Sequence, residues 1–184
     1  MGAVESEIGE RTNPDGTKVR DGMLFAANSG RCVEESYSVA YNLGSGKVHW
    51  DGWINVDLHS DKADLRCDLR KLEIESDTAD AVAAIHVLEH FYYWEVADIL
   101  TEWRRILKPG GKMILELPCM DKVLGYAVRC VQDKQPLMPF MTLHALYGDP
   151  KHKHEAMCHK WGWFTKPLVE MVESIGMRDV QVVP

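Results

Sequence analysis

No stretch of this 184-residue sequence approaches the ~20 consecutive apolar residues that a membrane helix needs, so no membrane span is expected. The N-terminus, MGAVESEIGERTNPDG, has no basic region leading into an apolar one, which argues against a secretory signal. Its first six residues resemble an N-myristoylation start with Ser6 in register, but so short a pattern carries little weight. Cysteine is sparse and unpatterned: Cys32, Cys67, Cys119, Cys130 and Cys158 are odd in number and never spaced C-x-x-C. That spacing argues against a disulfide framework or a cysteine-based zinc site, and favours reduced thiols in a cytosol-like, cytoplasmic compartment. Positive charge is in short supply, with 21 Lys and Arg against 28 Asp and Glu and a net charge of −7. Nucleic acid is therefore not an expected partner. Internal repeats and low-complexity tracts are also missing.

What is present is the balance of one ordinary globular domain, 46% apolar and 27% charged, long enough to bury a core. Residues 1–38 read as an N-terminal arm, partly ordered or folded as a hairpin. There NPDGT is a turn signal, and TKV and MLFAA are the segments expected to pair. From residue 39 the punctuation becomes regular. VAYNL, WINVD, ADLRCD, ADAVAAIHV, KMILELP and MRDVQVV read as strands, the fourth as a fully buried central one. YWEVADILTEWRRILK sets Val96, Ile99, Leu100, Trp103, Ile106 and Leu107 on one helical stripe, ended by Pro109-Gly110-Gly111. TKPLVEMVESIG reads as a second helix, with Thr165 as N-cap and Gly176 just past its end. Residues 119–163 show no clear period and read as a lid or insertion. The alternation predicts an α/β domain over residues 39–184, built on a doubly wound, mostly parallel sheet.

In such a sheet ligands sit beyond the carboxyl ends of the strands, which singles out residues 44–46, 57–58, 68–69, 86–90 and 118–121. Gly44 and Gly46 form a Gly-x-Gly turn after the first core strand. A dinucleotide site would want a third glycine, then a helix, then an acid ~20 residues further on. Here His49 takes the third position, Asp57 comes eleven residues after Gly46, and only residues 47–52 are left for a helix. So short a stub offers few N–H groups and little dipole for two phosphates. Asp57 is placed to accept from ribose hydroxyls, so the pattern favours a nucleoside over a pyrophosphate.

NLGSG…GWINVD, CDLRKL, ADAVAAIHVLEHF, ILKPGGKMILELP and HKWGWFTKPLVEMVESIGMRDV, in this order and spacing over residues 39–183, resemble the class I S-adenosylmethionine-dependent methyltransferases. The match is best to the short type-11-like group often found among genes for surface polysaccharides. The resemblance implies a Rossmann-like single domain with S-adenosylmethionine as cofactor and S-adenosylhomocysteine as product. It implies a cofactor site of Asn42, Leu43, Gly44, Ser45, Gly46, Asp57, Leu58, Asp68, Leu69 and His86. Gly44, Ser45 and Gly46 would line the methionine part, Asp57 would hold the ribose, Leu58 would pack on adenine, and Asp68 with Leu69 would bind its edge. The sequence departs from the family in three ways. Asn42 stands where an acid is usual, the third glycine is absent, and the reversed seventh strand is either missing or supplied by residues outside the pattern.

HVLEHF offers His86, Glu89 and His90 at the mouth of such a site, and histidine suits removal of a proton from an acceptor near neutral pH. The bland alternative has Glu89 capping the next helix and His90 packing beneath it. FYYW (residues 91–94) is either an aromatic platform or a run divided between core and surface. His144, His152, His154, Cys158 and His159 cluster in the 119–163 segment, and imidazole and thiolate are good zinc ligands. Lys151 and Lys153 beside His152 and His154 disfavour a cation, so no metal centre is expected. A lid that meets an anionic substrate through Lys151, Lys153 and Lys160 is preferred. The expected activity is in-line methyl transfer to a small-molecule or carbohydrate-like acceptor. A non-catalytic cofactor- or partner-binding member of the same fold is the alternative, and a nicotinamide oxidoreductase is disfavoured by the short loop.

Overall fold

The computed structural model describes residues 11–12, 18–19, 23–27 and 37–183. Two short strands come first, β1 (Arg11–Thr12) and β2 (Lys18–Val19), paired antiparallel with each other. The next, β3 (Met23–Ala27), joins the main sheet. The expected pairing of TKV with MLFAA is therefore not the one formed. A two-residue strand offers few ladder bonds, whereas β3 is bonded on both edges in the large sheet.

The remaining elements mostly follow the sequence, except that the long helix stops at Ile106 and Leu107–Gly111, expected to close it, begin the next strand. They are β4 (Ala40–Leu43), β5 (Ile54–Val56), β6 (Ala79–Ile85), helix α1 (Tyr93–Ile106) and β7 (Leu107–Glu116). After these come α2 (Met120–Gln132), α3 (Leu143–Tyr147), α4 (Thr165–Ser174) and β8 (Arg178–Val183). The six-stranded sheet runs β5-β4-β6-β7-β3-β8. Strands β5, β4, β6 and β7 are mutually parallel, and β3 is antiparallel to both β7 and β8. The reversed position near this edge is thus filled from the N-terminal side, by residues outside the strand–helix alternation. ADLRCD, expected as a strand, is reduced to a single parallel bridge between Val56 and Leu65.

The core explains why the central elements were legible. β6 is buried along nearly its whole length, as a strand covered on both faces must be. Val96, Ile99, Leu100, Trp103 and Ile106 of α1 are buried on one stripe, and the Trp103 indole N–H donates to Leu69 O at 2.9 Å. Each such side chain contributes roughly 1.5–3 kcal/mol of burial, more than the few tenths that β-branched residues cost a helix. Helix α2 is a correction to the irregular reading of 119–163. It buries only Met120, Val123 and Cys130, a thin stripe interrupted by Gly125, so its period is faint in the sequence. The N-cap of α4 is Phe164 rather than Thr165. The Thr165 N–H donates instead to Asp121 Oδ2 at 2.8 Å, a cap supplied by α2.

Three carboxylates hold these elements and should make the fold acid-sensitive. The Lys108 ammonium bonded to Asp80 and the Val39 N–H lower the Asp80 pKa. The Arg105 guanidinium lowers that of Glu102, and the Thr165 N–H lowers that of Asp121. A carboxyl whose pKa is depressed on folding adds stability that is complete above its unfolded value and is lost as pH falls through the folded one. The melting temperature is therefore expected to drop on acidification below about pH 4, less steeply in Asp80→Asn. Melts that stay level between neutral and strongly acid pH would contradict this.

Candidate functional site

The carboxyl ends of β4, β5 and β6 lie side by side because the strands are parallel. They bring together the glycine turn, Asp57 and His86, three of the segments that the sequence singled out. Gly44 has φ +70°, and a Cβ there would stand 2.6 Å from a Val87 methyl, so both conformation and space demand glycine. Gly46 also has positive φ, but a Cβ there would meet nothing within 4 Å, so its face opens outward.

The N–H groups of this turn are already spent. Gly44 N and Ser45 N donate to Val56 O at 2.8 and 3.1 Å, and Gly46 N donates to Asp57 Oδ2 at 2.9 Å. A phosphate cradle needs such donors turned toward its ligand. Residues 47–52 form turns with no helix behind them. The site therefore lacks both sources of an anion-binding field. Asp57 Oδ1 accepts from His59 N and Ser60 N, so three of the roughly four lone-pair directions of a carboxylate are used and about one remains. Leu58, next along, is an exposed apolar side chain at the strand end.

Asp68 faces Arg70, whose Nη1 lies 3.3 Å from Asp68 Oδ2 while its Nε reaches Glu95 Oε1 at 3.0 Å. Leu69 is buried beside the place where a Gly44 Cβ would point. Leu43 is fully enclosed, and the buried Asn42 amide donates to Asn55 Oδ1 at 3.0 Å. Both can therefore face a ligand only through the backbone. Asn55 went unnoticed in the sequence. It is fully buried, and its side chain bonds Trp50 N, Trp50 O, Trp53 O and Asp64, which fixes the short loop in place of a helix. An asparagine in a strand, a poor β-former, was the available signal.

His86 follows the last residue of β6 with φ +54°, a left-handed conformation that costs a non-glycine residue ~1–3 kcal/mol. Its N–H donates to Glu116 O at 2.7 Å, which holds that conformation. The side chain is 58% exposed; Nδ1 lies 3.3 Å from Glu89 Oε1 and Nε2 lies 3.8 Å from Glu116 Oε1. Glu89 itself is only 2% exposed. His90 is half-buried, and burial lowers its pKa against the opposing pull of Glu89. Of the FYYW run, Phe91 is buried with the Arg70 guanidinium over its ring, while Tyr92 and Trp94 stack in solvent with centroids 4.6 Å apart. The run is thus divided between core and surface.

His159 reaches this place from the far end of the irregular segment, and Lys160 N and Trp161 N both donate to Glu89 O. Lys151 and Lys153 are exposed, Lys151 paired with Asp149. A cavity of about 290 Å³ lined by Tyr37, Asp80 and Lys108–Lys112 lies at the amino ends of the strands, opposite the glycine turn, and has no part in the site. Among the described residues no helix is long and apolar enough to cross a membrane.

Residues 52–115 match a family model described as a methyltransferase domain. Among solved structures, an S-adenosylmethionine-dependent methyltransferase from Archaeoglobus fulgidus aligns over 78% of this chain and 62% of its own, at 19% identity and a TM-score of 0.56. A similar enzyme from Thermotoga maritima aligns over 80% and 67%, at 15% identity and a TM-score of 0.52. Phosphoethanolamine N-methyltransferase 2 of Haemonchus contortus, solved with S-adenosylmethionine, aligns over 81% and 35%, at 14% identity and a TM-score of 0.52. The chain thus spans less than two thirds of the first of these structures. No curated protein matches its sequence. Identities this low speak to the fold.

Proposed function

From a chain that carries the class I, S-adenosylmethionine-dependent methyltransferase fold, we propose an enzyme that transfers the cofactor's methyl group to a small or carbohydrate-like acceptor. The observation that carries the reading is the glycine turn, whose N–H groups are satisfied internally beside a carboxylate. Such a turn disfavours a pyrophosphate and accommodates a cation.

The residues present fit this cofactor. Asp57 retains about one acceptor direction for a ribose hydroxyl. Exposed Leu58 offers an apolar face to a base, and Asp68, paired with Arg70, is the carboxylate assigned to the edge of that base. The bound cofactor would supply a positively charged sulfonium, an electrophilic methyl and a neutral thioether leaving group. Asp57 at the glycine turn and Glu89 and Glu116 beside His86 are carboxylates at the strand ends, which suits a cation and disfavours a phosphate.

In-line methyl transfer depends mostly on alignment of the acceptor atom. His86 is the group suited to take the acceptor's proton, and Glu89 and Glu116 restrain its ring from two sides. Glu89 then acts as a positioning residue. The exposed Tyr92–Trp94 stack is a surface on which a sugar ring can lie.

Calorimetry with S-adenosylmethionine, S-adenosylhomocysteine and NAD tests the cofactor assignment. Micromolar binding of the first two and none of the third is expected. Tight NAD binding without response to the sulfonium compound or its product would overturn the reading.

A further inference from the structure

Glu89, His90 and His159 meet although nearly seventy positions separate the first two from the third. One potential ligand atom from each lies within 4.8 Å of the others, and His159 Nε2 is 3.9 Å from Glu89 Oε1. The Glu89 side chain is 98% buried; Oε1 has His86 Nδ1 as a partner, but Oε2 has none. A buried carboxylate oxygen left unpaired is costly, of order 1–3 kcal/mol or more, and calls for a partner.

The two rings are held as metal-binding imidazoles are held. His90 Nδ1 lies 3.2 Å from Cys158 O, and His159 Nδ1 lies 2.9 Å from Ala145 O. A carbonyl can only accept, so each Nδ1 carries a proton, and in the neutral ring each Nε2 offers its lone pair. A bond from the other ring nitrogen to a carbonyl is the usual way of fixing a metal-binding tautomer. The rings stand at 78° with centroids 5.0 Å apart, so they approach a common point from different directions. Two donors on one tetrahedral zinc are ~3.3 Å apart, given metal–ligand distances near 2 Å. Closing the present cluster to that size asks only for an ångström or so of side-chain movement.

We propose that Glu89, His90 and His159 form a binding site for a divalent transition metal of the zinc class. The metal pins the segment from α3 to Trp161 onto the tip of the central strand. Two imidazoles and one carboxylate suit zinc or cobalt and leave a coordination position open, as in zinc sites that hold a water or substrate. The lysines that argued against a cation at His152 and His154 are not part of this cluster, and Lys160 turns its ammonium over the Tyr92 ring instead. The proposal does not depend on methyl transfer and uses a readout separate from activity.

The full chain, stripped with a chelator, is titrated with Co²⁺ by visible absorption and with Zn²⁺ by competition against a chromogenic chelator. One equivalent of each is expected, with the ligand-field bands of a four- or five-coordinate cobalt. His159→Ala and Glu89→Gln should each weaken zinc binding at least about tenfold, while His152→Ala and His154→Ala leave it unchanged. His159 keeps 11% of its side chain exposed against 2% for Glu89, so its variant is the milder one and reports on the site if Glu89 tolerates no change. Octahedral-type cobalt spectra, stoichiometry well below one, or affinity that survives His159→Ala would overturn the proposal. So would affinity lost with His152 or His154.

Discussion

His86→Ala is expected to lower turnover about 10²- to 10⁴-fold, the range for loss of a general acid–base group. His86 ends the central strand in a left-handed conformation, with its ring exposed between Glu89 and Glu116. Cofactor affinity should change little, because Asp57 and the glycine turn lie on other strands. His86→Asn separates two roles. It tolerates the left-handed backbone better than most residues and can hydrogen-bond, but it cannot take a proton. If His86 only shapes the site, Asn keeps most of the activity. If it is the base, Asn is as poor as Ala. The measurement needs an acceptor, so labelled S-adenosylmethionine is first screened against sugars, nucleotide sugars, amines and small acids. Turnover that survives both substitutions would remove the proposed base and leave the enzyme.

Asp57→Ala should cost cofactor affinity roughly 10- to 150-fold, since a hydrogen bond to a charged group is worth ~1.5–3 kcal/mol. About one acceptor direction of Asp57 is open to a ribose. The rest of the side chain holds the N–H groups of Gly46, His59 and Ser60, so the substitution also frees the glycine turn. Asp57→Asn keeps one acceptor oxygen and should lose less than Ala. Calorimetry with S-adenosylhomocysteine, on variants whose circular dichroism matches the wild type, reads the effect. Binding as tight as wild type in a folded Asp57→Ala protein would put the ribose elsewhere.

The candidate site was legible in the sequence to the extent that it is local. Gly44, Gly46 and Asp57 were visible because a turn needing positive φ and a strand-terminal acid are written within a few residues of one another. His86, Glu89 and His90 were visible because they follow an unbroken apolar strand. Asn55 was not, since its role is to satisfy polar groups of a neighbouring loop, and no period marks that. The place of His159 beside Glu89 was hidden for a similar reason. It sits among four histidines of which the segment's own pattern favours none, and only the docking of the neighbouring Lys160 and Trp161 N–H groups on Glu89 O distinguishes it. Asp121, which caps α4 from α2, is another contact between remote elements.

By itself the sequence determined where most of the core strands lie along the chain, the stripe of α1, the short glycine turn and the absence of a helix behind it. Each follows from hydrophobic period or backbone sterics within about a dozen residues. Tertiary structure alone decided which strand fills the reversed position between β7 and β8. MLFAA carries an apolar pattern that fits any sheet edge, and its choice of β7 and β8 over TKV is a matter of which unpaired N–H and C=O groups are in reach. It alone also brought buried Glu89, one of whose oxygens is unpaired, together with two imidazoles, because a buried polar group finds its partners in space and not along the chain.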